Sequence, residues 1–130
     1  MIKTIYFIFF ACAFSLGLWA CTSKQKEEYK NLSSAQFEEL IKNENVQLLD
    51  VRTLAEHMEG HIPGSLNINV QDKDFSRCVD DLLDNKKEVA VYCRSGRRSK
   101  EAAQKLCELG YTNIVEFGGI IDWTGDTVSG

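Results

Sequence analysis

Cys93 stands before the run Arg94-Ser95-Gly96-Arg97-Arg98-Ser99, and that combination suits a thiolate nucleophile. A thiol attacks as its anion, and cations or the unpaired amides at a helix start favour that anion. Arginine is unfavourable at a helix N-terminus, where the peptide dipoles already supply positive potential. Three arginines around one thiol therefore imply that an anion is expected there. Gly96 lets the loop curl without a side chain in the way.

The elements that must position this loop are legible on either side of it. Glu88-Val89-Ala90-Val91-Tyr92 is short and apolar, as a buried parallel strand is, and it runs straight into Cys93. A five-residue turn, Arg94 to Arg98, then leads into a helix over Ser99 to Leu109 with Ala102, Ala103, Leu106 and Leu109 on one face. Gly110 is placed to end that helix in a left-handed conformation. Upstream, Ser33-Ser34-Ala35-Gln36 forms a capping box ahead of a helix carrying Phe37, Leu40 and Ile41 to about Asn43. Val46–Val51, Leu66–Val70 and Ile114–Phe117 read as strands, and Phe75 to Leu83 as a more polar helix. Gly118-Gly119 opens a closing segment with Ile120, Ile121 and Trp123. The fold class is thus α/β, a central, mostly parallel sheet of about five strands with helices on both faces. Ligands of such sheets bind beyond the carboxyl ends of the strands, where Cys93 falls.

An appendage precedes this domain. Met1-Ile2-Lys3 makes a short positive start, and Ile5 to Ala20 is free of charge. That apolar run of about 16 residues is short for a membrane-spanning helix, which takes roughly 20, and fits an export signal. Leu18-Trp19-Ala20-Cys21 resembles the lipobox of bacterial lipoproteins. The resemblance implies a signal peptide over residues 1–20, cleavage before Cys21 and a lipid on its sulfur that anchors the protein to a membrane. Residues 21–30 then form a polar tether, and residues 31–128 a domain in the cell envelope, facing the periplasm or the surface. An ordinary secreted protein or an uncut signal anchor would also place the domain outside the cytoplasm.

The full chain of 130 residues carries a net charge of −4 and has no basic run, which argues against a nucleic-acid partner. Of its five cysteines, Cys12 and Cys21 belong to the appendage. Cys78, Cys93 and Cys107 lack the paired spacing of a zinc site or a disulfide scaffold. An odd cysteine in an exported domain should leave one thiol free, and Cys93 is the candidate.

From about Leu32 to Val128 the chain resembles a single-domain rhodanese, a sulfurtransferase. Leu48-Leu49-Asp50-Val51-Arg52, Glu56 and Gly60-His61-Ile62-Pro63-Gly64-Ser65 form the first matching block. Val91-Tyr92-Cys93-Arg94-Ser95-Gly96-Arg97-Arg98-Ser99 is the second, and Gly118-Gly119-Ile120 with Trp123 the third. Each block is weak alone; three in this order and spacing are strong. The resemblance implies a ping-pong transfer in which Cys93 takes the outer sulfur of a small donor such as thiosulfate. The resulting persulfide passes its sulfur to a thiophilic acceptor such as cyanide or a thiol. The amides from Arg94 to Ser99 would stabilise the persulfide, and Arg94, Arg97 or Arg98 would bind an anionic donor. No metal or organic cofactor is implied. Related phosphatases keep an arginine where Ser99 stands, or use a loop one residue longer, so the loop length favours sulfur transfer.

The remaining residues have plainer readings. Asp50 and Arg52, at a strand end near the site, read as a structural ion pair or a loop hydrogen bond supporting it. His61 belongs to the loop-shaping Gly60-His61-Ile62-Pro63-Gly64 match, and Gly60 and Pro63 argue against the single helix that a zinc pair of His57 and His61 needs. Glu56 reads as a surface or helix-start acid. Cys107 reads as a small buried hydrophobe and Trp123 as a core anchor, while Cys78 can either pack or pair with another cysteine. Two rival functions come from other classes. A non-catalytic rhodanese module that binds a partner protein has no need of the intact Cys93 loop. An envelope thiol-redox protein needs a resolving thiol near Cys93.

Overall fold

A computed structural model describes residues 29–130. The apolar segment, the Leu18–Cys21 motif and nearly all of the expected tether lie outside the described residues. Among the described residues, nine regular elements alternate. They are β1 (Lys30–Leu32), α1 (Ser34–Ile41), β2 (Gln47–Asp50), α2 (Leu54–Glu59), β3 (Leu66–Asn67), α3 (Phe75–Leu82), β4 (Val89–Tyr92), α4 (Arg97–Glu108) and β5 (Ile114–Phe117). A 3₁₀ turn, Ile120–Asp122, follows. All strand pairs are parallel, in the order β1-β5-β4-β2-β3. The central strand β4 is therefore the one that delivers Cys93.

Side chains alternate across each strand, so the sheet separates two cores. On one face Leu49, Val89, Val91, Cys93 and Ile114 pack against Phe75 and Val79 of α3 and Ala102, Ala103 and Leu106 of α4. On the other face Leu48, Ala90, Tyr92, Val115 and Phe117 meet Phe37 of α1 and Ile62, with Ile120 and Trp123 against them. Trp123 thus anchors the core: its ring centroid lies 5.7 Å from that of Phe117 and 6.3 Å from that of Phe37.

The capping box of α1 forms as expected, with the Gln36 amide on Ser33 Oγ and the Ser33 amide on Gln36 Oε1. Four elements differ from expectation. β1 is a short, largely exposed edge strand at the end of the polar tether, and only its pairing with β5 creates it. α2 buries none of its six residues, so no apolar periodicity announces it; Thr53 caps it by accepting from the Glu56 amide. α4 starts at Arg97, two residues ahead of the expected Ser99. Gly96, at φ 107°, turns the chain sharply enough for helix to begin at once, which puts Arg97 and Arg98 in the first turn. Of the strand expected over Leu66–Val70, only Leu66–Asn67 pairs as β3.

Candidate active site

Cys93 follows β4 and sits at the carboxyl edge of the sheet with 1% of its surface exposed. The Gly96 amide donates to Cys93 Sγ at 3.0 Å. A donor aimed at sulfur from the turn ahead of a helix favours negative charge on that sulfur.

The loop is held from behind by the segment after β5. Ile120 N donates to Cys93 O at 2.9 Å, and Ile121 N to Arg94 O at 3.2 Å. The fit there leaves no room for side chains. A Cβ on Gly96 would come 2.8 Å from Gly118 O, and one on Gly119, at φ 141°, 2.1 Å from Arg94 O. The Gly118-Gly119 pair is thus the wall against which the thiol loop is pressed.

Beneath the sulfur lies a buried polar chain. Cys93 Sγ is 3.5 Å from Ser99 Oγ, which is itself 2.9 Å from both Gly96 O and Glu116 Oε2. Ser99 and Glu116 are fully buried, and the Asn31 side-chain amide donates to the other carboxylate oxygen of Glu116. Asn31 is the register partner of Glu116 across the β1–β5 pair, so the unexpected edge strand completes this chain.

The three arginines take different places. Arg98 reaches across to α2, and its guanidinium makes two hydrogen bonds to Glu56, at 2.7 and 2.8 Å. Those bonds hold the Glu56 carboxyl down at about 2. They also raise Arg98, with a smaller contribution from negative charge at Cys93. Glu56 is therefore a clamp on the loop, beyond the helix-start acid read from sequence. Arg94 and Arg97 are exposed.

Asp50 and Arg52 form the expected structural pair. Asp50 points to the other face of the sheet, with Tyr92. Its carboxylate accepts from Arg52 Nε at 3.0 Å, Arg52 Nη2 at 2.7 Å and the Arg52 amide at 3.0 Å. It also meets His57 Nδ1 at 2.9 Å and accepts from the Tyr92 hydroxyl at 3.1 Å. Burial pushes Asp50 up, but these donors, Arg52 foremost, hold it below the usual carboxylate range. Burial also pushes Tyr92 up to about 12, so its hydroxyl stays protonated. Arg52 Nη2 reaches Gly60 O at 2.7 Å, and Ile62 N donates to the Tyr92 hydroxyl at 3.1 Å. The pair thus fixes α2 and the Gly60–Ser65 loop, and α2 carries Glu56. The support it gives the thiol loop is indirect.

The histidines shape this corner. α2 ends at Glu59, so His57 and His61 do not share a helix, and their rings stack at 3.7 Å. His61 Nδ1 lies 2.8 Å from His57 O. Among the described residues no group of three or more His, Cys, Asp or Glu is placed to hold a metal ion. Cys78 and Cys107 are half-buried against the α3–α4 core, and no disulfide joins the described cysteines.

Sequence reasoning missed Glu116 and Asn31. A single acid inside the apolar strand Ile114-Val115-Glu116-Phe117 was the available signal, because a buried strand carries a charged side chain only where something receives it.

Comparisons with known proteins bear on the family and the fold. The family model for the rhodanese-like domain matches residues 33–126. A thiosulfate:glutathione sulfurtransferase of Saccharomyces cerevisiae is 30% identical over 124 residues, covering 83% of this chain and 89% of that protein. A thiosulfate sulfurtransferase of Escherichia coli is 33% identical, covering 63% of this chain and 78% of its own. Among solved structures, a rhodanese-related protein from Thermoplasma volcanium superposes with a TM-score of 0.65 at 32% identity, over 77% of this chain and 98% of that one.

Proposed function

This chain belongs to the rhodanese-like domain family, and on that premise we propose that it moves sulfane sulfur from a thiosulfate-like donor to a thiophilic acceptor through a persulfide on Cys93. The observation that carries this reading is the Gly96 amide aimed at Cys93 Sγ at 3.0 Å, in a turn opening directly into α4.

In the first half-reaction the Cys93 thiolate attacks the outer sulfur of thiosulfate. A sulfur–sulfur bond forms to Cys93, the bond to the sulfonate sulfur breaks, and sulfite leaves with the electron pair. In the second, an acceptor such as cyanide attacks the outer sulfur of the persulfide and leaves as thiocyanate, returning the thiolate. The loop amides and the start of α4 stabilise the anion in both states. Arg94 and Arg97, exposed at the rim, are the cations that meet an anionic donor, because Arg98 is held by Glu56.

Intact-mass measurement after incubation with thiosulfate tests this. We expect a gain of one sulfur atom that is removed by cyanide and absent in Cys93→Ser. A wild-type protein that takes up no sulfur from any sulfane donor would sink the reading.

The N-terminal segment sets the place of action in this proposal: export, cleavage before Cys21 and lipid anchoring in the bacterial cell envelope. The lipobox-like Leu18-Trp19-Ala20-Cys21 supports it. Cys21→Ala should release the protein from the membrane fraction. Unchanged membrane retention with an unshortened chain points to a signal anchor instead.

A further inference from the structure

The Ser99 hydroxyl has one proton and three neighbours that can accept it: Gly96 O and Glu116 Oε2, each at 2.9 Å, and Cys93 Sγ at 3.5 Å. Two of those neighbours are titratable. With Cys93 as a thiol, its S–H can point to Ser99 Oγ while the hydroxyl donates to the Glu116 carboxylate. With Cys93 as a thiolate, the hydroxyl can turn to the sulfur only if Glu116 needs no proton from it. That condition is met when Glu116 is a carboxylic acid and donates to Ser99 Oγ itself. The same three side chains therefore accommodate one shared proton in two arrangements.

We propose that Glu116 is a positioning residue for the nucleophile, exchanging one proton with Cys93 through the Ser99 hydroxyl. This rests on Cys93 being the nucleophile of the proposed sulfur transfer. On activation the thiol proton passes to Ser99 Oγ as the hydroxyl proton passes to Glu116 Oε2. Thiol and carboxylate become thiolate and carboxylic acid, Ser99 is regenerated, and the total charge is unchanged.

The placement of charge gives the exchange its direction. A carboxylate at Glu116 is fully buried and accepts from two neutral donors, Asn31 from β1 and Ser99 from α4. Across β4 its register neighbour is the apolar Val91. At the sulfur the same unit charge meets the Gly96 amide, the start of α4 and the field of Arg98, which Glu56 and more distantly Asp50 partly offset. Buried charge is costly where its partners are neutral and less so where donors and cations converge. While the sulfur is a persulfide anion the carboxyl keeps its proton, so the pair is never required to hold two anions. When the acceptor removes the outer sulfur, the thiolate returns beside a protonated carboxyl, ready for the next donor.

The pH dependence of Cys93 alkylation by iodoacetamide, followed on the Cys93 peptide by mass spectrometry, tests this without any sulfur donor. Two groups sharing a proton titrate as a pair. The wild-type rate should therefore rise in two steps, with a plateau between them where the pair holds one proton. Glu116→Gln keeps the shape and can donate to Ser99 permanently, so its profile should collapse to a single step. Ser99→Ala, which keeps Glu116 but cuts the connection, should also lose the plateau, and adding Glu116→Gln to it should change nothing more. A Glu116→Gln profile superimposable on the wild type would overturn the proposal. Should that variant not fold, retention of both steps in Ser99→Ala would overturn it equally. Failure to take up sulfur alongside a two-step profile would count against sulfur transfer and leave the proton exchange standing.

Discussion

Arg98 in the first turn of α4 and Glu56 on α2 are joined by two hydrogen bonds, Nη1 to Oε1 at 2.7 Å and Nη2 to Oε2 at 2.8 Å. A planar guanidinium matched to a carboxylate fixes direction as well as distance. It ties the start of the thiol-bearing loop's helix to α2, the element that follows β2 in the chain. Cationic charge near Cys93 is thereby anchored in one place while Arg94 and Arg97 stay exposed.

Glu56→Gln should lower stability by about 1 kcal/mol at neutral pH, because the pair is partly exposed and solvent screens it. The Glu56 carboxyl is held near 2 in the folded protein, below its ordinary 4.5. A depressed folded value means that the stabilisation is complete above the unfolded value and is lost as pH falls toward the folded one. Urea unfolding at pH 6 and at about pH 3 should therefore show the gap between wild type and variant shrinking in acid. A gap independent of pH would refute the assignment.

Gly119→Ala should destabilise the protein by about 3 kcal/mol or more, combining backbone strain with overlap. The new Cβ would stand 2.1 Å from Arg94 O, in a backbone region that side chains rarely adopt. Gly60→Ala is the control, with nothing within 4 Å of its Cβ. Similar urea midpoints for the two variants would show that the loop yields easily.

Asp50→Asn should cost about 3–5 kcal/mol, since it leaves the buried Arg52 guanidinium without its counter-charge. Glu39→Gln, which breaks the exposed Lys42–Glu39 pair, should leave stability essentially unchanged, because solvent screens that pair. Equal losses in thermal or urea unfolding would contradict the structural role given to Asp50.

Arg94→Ala and Arg97→Ala should raise KM for thiosulfate several-fold with a smaller change in kcat, and shift stability by no more than about 0.5 kcal/mol. Arg98→Ala should instead lower stability as Glu56→Gln does. If KM is insensitive to both exposed arginines, the donor is recognised by the loop amides alone.

What the sequence by itself determined is local and periodic. The apolar run Val89–Tyr92 ending in Cys93, the capping box at Ser33 and the Gly96 turn each carry their signal within a few residues, so the α/β class and the thiol at a strand end were legible. The extent of α4 was less so, because a left-handed Gly96 lets helix begin at Arg97 with no apolar residue to mark it. Tertiary structure decided the relationships between segments distant in the chain. Arg98 and Glu56 are 42 residues apart, and Asn31 and Glu116 are 85 apart. Nothing in either local sequence says which arginine is held or what receives a buried acid. Those choices follow from strand order, which sets β1 beside β5 and β5 beside β4, and so places Glu116 under the Ser99 that touches Cys93. The placement of Cys93 at a strand end was readable from its own neighbours; Glu56, Glu116 and Asn31, which meet its loop from distant segments, were not, because the tertiary fold alone brings them there.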